Sequence, residues 1–405
     1  MPRVVVIGTL DTKGVEIGFV RDLIRAAGCE TTVVDCGVMG QPGVPPDIPA
    51  EEVAAAAGTT VAALQEAADR GEAVAAMTAG AARVVSQLAA EGHVDGIIGL
   101  GGSAGTTIGT AAMRALPVGV PKVMVSTLAS GDTRPYVDSK DLCLMYSVVD
   151  IAGLNRISRR VFGNAARAVA AMALGGDAGE AASDRPLVGA TMFGVTTPCV
   201  TMVRERLEAV GYEVLVFHAT GTGGQAMEGL VRDGFITGVV DVTTTEWCDE
   251  LVGGILSAGP DRLNAAAEAG VPQVIVPGAM DMVNFGPLDA VPEQFRARRL
   301  YAHNPTVTLM RTTAAECAEL GRILAERAGR ARGPTVVLLP LHGVSAIDRE
   351  GAPFYDAEAD AALFAAVERH APPSLVVRRV EAHINDPQFA ALAADTFLEL
   401  AAQAT

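Results

Sequence analysis

A glycine-rich turn is the stretch of this sequence whose residue types most directly suggest chemistry. It reads "GLGGSAGT" over residues 99–106, and the apolar run "DGII" precedes it. Strand-end glycines that lead into a helix place bare N–H groups and a positive helix terminus at one point, which favours an anion such as a phosphate. The candidate ligand-binding residues of this turn are Gly101, Gly102, Ser103, Gly105 and Thr106. A tight strand–helix turn with close packing remains the alternative interpretation.

The common nucleotide motifs do not identify the anion. The P-loop signature requires a lysine after its last glycine, and this turn has none. The dinucleotide fingerprint requires an acidic residue about 20 positions further on. The corresponding stretch, "PVGVPKVMVST", contains no acidic residue. Neither a Walker-type nucleotide nor NAD is therefore indicated by pattern alone.

A second polar turn, "GTLDTKG" at residues 8–14, ends the first apolar run of the chain. Thr9 and Thr12 offer hydroxyl groups, Asp11 could hold Mg²⁺ or a ribose, and Lys13 could neutralise phosphate. A helix cap with a solvated lysine is the alternative. Because both turns end predicted parallel strands, we expect them to open on the same sheet edge.

Two further loops complete the candidate site in the first half of the chain. "DCGVMGQPG" ends the second predicted strand and would form a third wall. "VSTLASGDTRPY" (125–136) supplies Ser130, Asp132 and Arg134 as additional candidate ligand-binding residues. Asp, Ser and Thr are also common turn residues, so local hydrogen bonding is the competing explanation.

The second half of the chain carries its own polar cluster. "HATGTGG" repeats the glycine-rich pattern after a strand, and "DVTTTEWCDE" places Glu246 and Asp249 near another strand end. "PLHGVSAID" adds His342. Converging histidine and carboxylate side chains could bind a metal or perform acid–base chemistry, so Glu246, Asp249 and His342 are the candidate catalytic residues. Caps and turns would use the same residue types.

The elements that must position these residues alternate between short β-branched runs and amphipathic helices. "RVVVIGT", "GVEIGFVRDLIRAAG" and "TTVVDCG" form a strand–helix–strand unit with short connections, which is typical of a parallel sheet. The pattern restarts at "PLVGATMFG" after a stretch at 174–186 with the composition of a linker. We predict two α/β domains of Rossmann-like or flavodoxin-like type with mostly parallel sheets, at residues 1–178 and 186–405.

Composition limits the class of protein and its partners. Of the 405 residues, 50% are hydrophobic and 19% charged, which is typical of a packed soluble α/β protein. The formal charge of −16 argues against nucleic acid as a partner. We expect no membrane span and no signal peptide. The six scattered cysteines indicate reduced thiols and a cytoplasmic location. We also expect a homodimer or homotetramer.

Six segments together resemble the UPF0261 family, and the resemblance spans nearly the whole chain. They are "IGTLDTKGVE", "VVDCGVMG", "GIIGLGGSAGT", "VSTLASGDTRPY", "FITGVVDVTTTEW" and "PGAMDMVNFG". This is the family of the ATP-binding domain of the tomato Tm-1 virus-resistance protein. The resemblance implies two α/β domains, with ATP and Mg²⁺ in the N-terminal one. The phosphates are then expected at Gly101 to Thr106 and at Thr9 to Lys13, with Asp11 as a candidate metal ligand.

Two functions follow from these patterns. The first is binding of an adenine nucleotide, held by the glycine-rich strand-end loops of the N-terminal domain, with ATP and Mg²⁺ as cofactors. The alternative is a metabolic enzyme, of hydrolase or lyase type, that acts on a small acid or a sugar-derived metabolite. Its histidine and carboxylate site would lie in the C-terminal domain or in the cleft. The sequence does not decide whether the chain is an enzyme.

Overall fold

The computed structural model describes residues 1–176 and 185–404, and the chain divides into two compact units. The N-terminal unit spans Met1–Ala182 and the C-terminal unit spans Ser183–Thr405. Each unit has its own parallel sheet and its own hydrophobic cores. Of the predicted linker at 174–186, residues 177–184 lie outside the described residues.

The N-terminal unit is built on a five-stranded parallel sheet in the order β2-β1-β3-β4-β5. Its strands are β1 (Arg3–Gly8), β2 (Glu30–Asp35), β3 (Gly96–Gly101), β4 (Lys122–Ser126) and β5 (Cys143–Tyr146). Its helices are α1 (Leu10–Ala26), α2 (Ala50–Ala56), α3 (Val61–Ala67), α4 (Arg70–Ala90), α5 (Ser103–Arg114), α6 (Arg134–Val137) and α7 (Arg156–Gly175).

Both faces of this sheet are covered, because successive residues of each strand point to opposite sides. Val4 and Val6 of β1 pack in a core with α1 and α7. Val5 and Ile7 of the same strand pack in a second core with α2, α4 and α5. The continuous apolar run "VVVI" is therefore a strand that is buried on both faces.

The strand order of the N-terminal unit creates a crevice between β1 and β3. The chain runs from β1 to its neighbour β2 on one side, and β3 pairs with β1 on the other side. Ile7 of β1 pairs with Gly99 of β3. In open parallel sheets, ligands bind at such a switch point, beyond the carboxyl ends of the strands. The turns that follow β1 and β3, which are the two polar turns found in the sequence, lie side by side there.

The C-terminal unit repeats this order in a six-stranded sheet, β14-β13-β9-β8-β6-β7, in which all the pairings are parallel. Its strands are β6 (Leu187–Met192), β7 (Glu213–His218), β8 (Ile236–Thr243), β9 (Gln273–Gly278), β13 (Thr335–Pro340) and β14 (Val376–Val380). The first strand of the unit, β6, again lies between the second and the third. The five strands of the N-terminal sheet and the first five strands of the C-terminal parallel sheet (β6, β7, β8, β9 and β13) therefore have the same order.

A three-stranded antiparallel sheet is inserted after β9. It has the order β10-β12-β11 and consists of β10 (Met282–Phe285), β11 (Leu300–Asn304) and β12 (Val307–Arg311). The helices of the unit are α8 (Thr197–Glu208), α9 (Thr222–Arg232), α10 (Glu246–Val252), α11 (Ala265–Ala269), α12 (Ala314–Ala328), α13 (Ala357–His370) and α14 (Pro387–Ala404). The sequence analysis did not identify the inserted sheet.

These sheets confirm the predicted fold class, since both parallel sheets alternate with helices in a two-unit α/β chain. Within the described residues, α4 is the one helix with the length and composition to cross a membrane. It lies in the N-terminal unit, where it packs against α2 and α5. Its Met77, Ala81 and Val85 are buried in the core there.

Candidate functional site

A pocket of about 950 Å³ lies at the β1/β3 switch point of the N-terminal unit. Eight of the predicted ligand-binding residues line it: Thr9, Asp11, Thr12, Lys13, Gly101, Gly102, Ser103 and Gly105. Ligand pockets for small molecules usually fall between about 300 and 1,000 Å³ and sit at such switch points. The structure therefore brings together the two turns that were singled out from the sequence.

The amino terminus of α5 faces this pocket with backbone donors. The first helical hydrogen bond runs from the Thr106 N–H to the Gly102 carbonyl, at 2.8 Å. The N–H groups of Ser103, Ala104 and Gly105 precede that bond, and no side chain caps the helix. Partial positive charge gathers at such a terminus, so its geometry is compatible with an anion.

Packing requires glycine at position 101 of the turn but not at position 102. A Cβ at Gly101 would lie 2.6 Å from the Cα of Gly105, so the β3–α5 turn closes only without a side chain at 101. A Cβ at Gly102 would have Thr127 Oγ1 as its nearest neighbour, at 3.8 Å, and its φ of −77° suits any residue. Packing therefore does not require glycine at 102, although a side chain there would stand beside the pocket.

Asp11 carries an unpaired acceptor at the pocket. Its Oδ2 accepts a hydrogen bond from the Met39 N–H at 2.9 Å, which ties the loop after β2 to the start of α1. Its Oδ1 is buried and has no hydrogen-bond partner among the described residues. Because buried carboxylate oxygens are almost always satisfied, we expect water, an ion or a ligand to pair with this atom.

The other residues of the first turn are held by hydrogen bonds within the N-terminal unit. The hydroxyls of Thr9 and Thr12 lie 2.8 Å apart and hydrogen-bond to each other. The Lys13 ammonium donates to the Ile151 carbonyl, so this cation lies under the loop after β5. The Leu10 N–H donates to the Asp35 carboxylate at 2.9 Å at the start of α1, which begins four residues before the predicted helical segment that starts at Gly14.

Sequence reasoning missed the apolar wall of the pocket. Helices α3 and α4 supply it, chiefly through Leu64, Val74 and Met77, and Ile108 of α5 joins them. In the sequence these residues fall on ordinary amphipathic helices, whose apolar stripes indicate core rather than a ligand site. The structure shows that these apolar residues also line the pocket at the β1/β3 switch point.

Four predicted residues of the N-terminal unit lie away from this pocket. Thr106 is fully buried, and its Oγ1 bonds the Ser126 hydroxyl at 2.7 Å, which braces the turn against β4. Ser130, Asp132 and Arg134 do not line the pocket. Asp132 and Arg134 pair with each other on the surface at 2.8 Å, and this hydrogen-bonded pairing lowers the pKa of Asp132 to about 2.

Glu246 of the C-terminal unit is part of a buried ion network. The Arg262 guanidinium, which is 1% exposed, contacts the Asp241 carboxylate at 2.5 and 2.7 Å, Glu246 Oε2 at 2.6 Å and Glu228 Oε1 at 3.3 Å. Burial raises the pKa of Glu246. These partners hold β8, α9 and α10 together.

The second glycine-rich turn is occupied by the protein itself. The N–H groups of Gly221 and Gly224 donate to Glu246 Oε1, at 2.7 and 3.1 Å. A Cβ at Gly224 would lie 2.2 Å from Glu246 Oε2. The uncapped α5 terminus of the N-terminal unit thus has a counterpart in the C-terminal unit whose N–H donors bind an internal carboxylate.

Asp249 and His342, the other two candidate catalytic residues, lie in different environments. Asp249 is buried, accepts from the backbone and side-chain amides of Asn284 at 2.9 and 2.7 Å, and has its pKa raised to about 7 by burial. His342 is exposed, and its Nε2 lies 3.3 Å from Glu381 Oε2. No hydrogen bond or ion pair joins Glu246, Asp249 and His342 in the described part of the chain.

A second buried carboxylate cluster surrounds Arg311. The Arg311 guanidinium donates to Asp360 Oδ1 at 2.6 Å and lies 3.7 Å from Asp348 Oδ1. Asp281 accepts from the Ser345 hydroxyl at 2.7 Å, and its other oxygen is buried without a hydrogen-bond partner in the part of the chain that the structure describes. Burial, reinforced by the neighbouring carboxylate of Asp348, raises the pKa of Asp281 to about 7 and that of Asp360 to about 8.

We expect Arg262→Met to destabilise the C-terminal unit by about 3–5 kcal/mol, because it leaves three buried carboxylates without their buried cation. Trp247, the only tryptophan of the chain, is buried in this unit, so its fluorescence in urea reports the unfolding. Arg206→Met, which removes an exposed partner of Asp395, is the matched control and should cost at most about 1 kcal/mol. Equal effects of the two variants would contradict this account of the network.

The described residues hold no group of three or more His, Cys, Asp or Glu side chains that could bind a metal ion. Asp11, which the sequence marked as a metal ligand, would need oxygen atoms from a ligand or water to complete a coordination shell.

Two family models match the chain, one for each unit. The N-terminal domain of the uncharacterised protein family UPF0261 matches residues 2–177, and the C-terminal domain of the same family matches residues 185–401. A UPF0261 protein of Clostridium tetani is 53% identical over 389 residues, covering 96% of both chains. The ToMV resistance protein Tm-1(GCR237) of Solanum lycopersicum is 41% identical over 98% of this chain, which spans 56% of the tomato protein.

Solved structures resemble the chain only weakly. The glycosyltransferase SsfS6 of Streptomyces sp. SF2575, complexed with thymidine diphosphate, covers 99% of this chain at 14% identity, with a TM-score of 0.20. That score is too low for the match to bear on fold or function. The family models and the relatives together settle the family, although not the activity. The chain belongs to the UPF0261 family.

Proposed function

We propose that this chain binds an adenine nucleotide, as its Mg²⁺ complex, in the switch-point pocket of the N-terminal unit. The observation that carries the proposal is the uncapped amino terminus of α5, where the N–H groups of Ser103, Ala104 and Gly105 face a pocket of about 950 Å³. Backbone donors at a helix terminus suit phosphate groups, which are both anionic and rich in acceptors.

The apolar lining of the pocket suits a flat apolar group. Leu64, Val74 and Met77 present aliphatic surface to the pocket that the α5 terminus also lines. A pocket that combines backbone donors with aliphatic side chains matches a molecule with a charged chain and an aromatic ring. A nucleotide has that layout, with its phosphates on the α5 terminus and its base against α3 and α4.

The charge of the pocket favours a metal complex over the free nucleotide. The acidic lining residues are Asp11, Asp69 and Asp150, while Lys13 and Arg70 are the basic ones. Three carboxylates against two cations would repel a bare triphosphate. Mg²⁺ is commonly bound by one or two carboxylates together with phosphate oxygens and water. The unpaired, buried Oδ1 of Asp11 fits this role, and the metal would neutralise phosphate charge.

Thermal unfolding with added nucleotides tests the proposal. In Mg²⁺, ATP and ADP should stabilise the chain, since a ligand at about 100 times its Kd adds about 2.7 kcal/mol to the native state. NAD should give a smaller shift. Replacing Mg²⁺ by EDTA should reduce the ATP shift, because the pocket carboxylates then repel the phosphates. No shift at millimolar ATP with Mg²⁺ would rule the proposal out.

The alternative, an enzyme with a site built from Glu246, Asp249 and His342, has no comparable support. Glu246 and Asp249 are engaged by backbone and side-chain donors of their own unit, and His342 lies exposed beside Glu381. We therefore do not propose that site.

A further inference from the structure

The geometry points to Lys13 as the residue through which a bound phosphate tightens the β5–α7 loop, which is residues 147–155, beside the switch-point pocket. This inference rests on the proposed nucleotide site and deepens it, since it concerns how that site controls a neighbouring segment. Lys13 and Asp150, which belongs to this loop, both line the pocket. The loop therefore borders the ligand site, and Lys13 contacts both.

Contacts with α1 hold the β5–α7 loop in place. The Lys13 ammonium donates to the Ile151 carbonyl, and the Gly153 N–H donates to Glu16 Oε1 at 2.6 Å. Ile151 is fully buried in the core that α1 and α7 share, and Glu16 is 2% exposed. Of the two α1 side chains that fasten the loop, Lys13 lines the pocket and Glu16 does not.

Val148 shows that the loop does not hold this conformation by its own preference. Its φ of 65° lies in the left-handed region, which a β-branched residue rarely adopts. Its side chain is 58% exposed, so packing of that side chain does not offset the strain. A strained conformation of this kind persists only where the surrounding structure imposes it. The two hydrogen bonds from α1 therefore oppose the strain, and the loop should open more readily when either is lost.

The Lys13 ammonium has donors left for a phosphate. An ammonium carries three N–H groups, and this one makes no hydrogen bond to the described residues other than that to the Ile151 carbonyl. A phosphate in the pocket can accept from another N–H, and such a charge-assisted bond is stronger than one to a neutral carbonyl. The same ammonium would then hold the phosphate and the loop together.

A phosphate on Lys13 should make opening of the loop less favourable. Without nucleotide, the long side chain regains its rotational freedom when its bond to the Ile151 carbonyl breaks. With phosphate bound, the side chain stays fixed, so the same opening releases less entropy. Coupling through shared ordering needs no change in the average structure, and it acts in both directions. A bound nucleotide thus keeps the loop closed, and a loosened loop weakens nucleotide binding.

Hydrogen exchange of the full chain, with and without saturating ATP in Mg²⁺, tests this inference at the Gly153 amide. In the native chain, ATP should slow the exchange of this amide about fivefold. In Lys13→Met the amide should exchange faster without ATP, and ATP should change its rate by less than about twofold. The Ser103 and Gly105 amides should gain protection in both chains, which verifies that the site is filled. Arg156→Met removes an exposed cation directly after the loop that does not line the pocket, so it should behave as the native chain does.

Glu16→Leu tests the coupling from the other side, because Glu16 holds the loop without lining the pocket. Loss of its bond to the Gly153 N–H should weaken ATP binding about threefold in calorimetric titration. Glu52→Leu, at an exposed position of α2 that does not line the pocket, is the matched control and should keep native affinity. A thermal midpoint well above the titration temperature verifies that Glu16→Leu is folded.

The outcomes separate this inference from the proposed function. If ATP protects the Ser103 amide of the native chain but not the Gly153 amide, the coupling is absent although the nucleotide site stands. Equal protection of the Gly153 amide in the native chain and in Lys13→Met has the same meaning. If Lys13→Met no longer binds ATP, the Glu16→Leu titration decides alone, and native affinity there overturns the inference. If ATP protects no amide of the native chain, the proposed function fails and this inference fails with it.

Discussion

Gly102→Val should weaken ATP binding by at least about 100-fold while leaving the chain folded. A Cβ at position 102 meets nothing closer than Thr127 Oγ1 at 3.8 Å, and the φ of −77° with ψ of −153° is an extended conformation that valine adopts readily. The added methyl groups would stand beside the N–H groups of Ser103 and Ala104, where the phosphates are proposed to lie. A 100-fold loss corresponds to about 2.8 kcal/mol. Calorimetric titration with ATP in Mg²⁺ measures it.

Gly131→Val is the matched control for this variant. Gly131 belongs to the same unit but does not line the pocket, and a Cβ there would have the Leu128 carbonyl oxygen as its nearest neighbour, at 3.6 Å. It should bind ATP as the native chain does. If Gly102→Val retains native affinity, the turn has only a structural role and the α5 terminus does not hold the phosphates.

Raising the pH from about 4 to about 8 should destabilise the C-terminal unit. Asp281 and Asp360 have folded-state pKa values of about 7 and about 8, because burial and the neighbouring Asp348 disfavour their charged forms. In the unfolded chain such groups titrate near 3.9. Between these values the native state holds more protons than the unfolded state, so stability falls as pH rises. Each proton of difference contributes about 1.4 kcal/mol per pH unit.

Urea unfolding followed by Trp247 fluorescence at several pH values measures this dependence. Asp281→Asn should flatten it, since an amide resembles the protonated carboxyl group and can still accept from the Ser345 hydroxyl. Asp395→Asn, at an exposed carboxylate paired with Arg206, should leave the slope unchanged. A native chain whose C-terminal unit is equally stable at pH 5 and pH 8.5 would contradict the assignment of protons to this cluster.

The parallel framework could be predicted from the sequence because its signals are local. Runs such as "RVVVIG" and "TVVLLP" are short, β-branched and bounded by turns, and they became β1 and β13. The inserted sheet of β10, β11 and β12 could not be predicted in the same way. Val283 and Asn284 look like an ordinary loop after β9, and their strand is defined only by pairing with Met310 and Leu309 across the chain.

The part of the candidate site that consists of strand-end turns could be predicted from the sequence. Glycines at 101 and 102 and the polar turn around Asp11 mark strand ends, and the parallel order places those ends together. Leu64 and Met77 were not predictable as pocket residues, because nothing in an amphipathic helix says that part of its buried face borders a pocket. Glu246 illustrates the converse: its carboxylate near a glycine-rich turn suggested catalysis, and the structure places it on that turn's own N–H groups.

A crystal structure of the chain grown with ATP and Mg²⁺ tests the central claim most directly. We expect difference density for phosphates within hydrogen-bond distance of the Ser103, Ala104 and Gly105 N–H groups. We also expect a metal ion beside Asp11 Oδ1 and the base against α3 and α4. A map in which those three N–H groups are bound by carbonyl groups of the chain, with nucleotide elsewhere or absent, would contradict it.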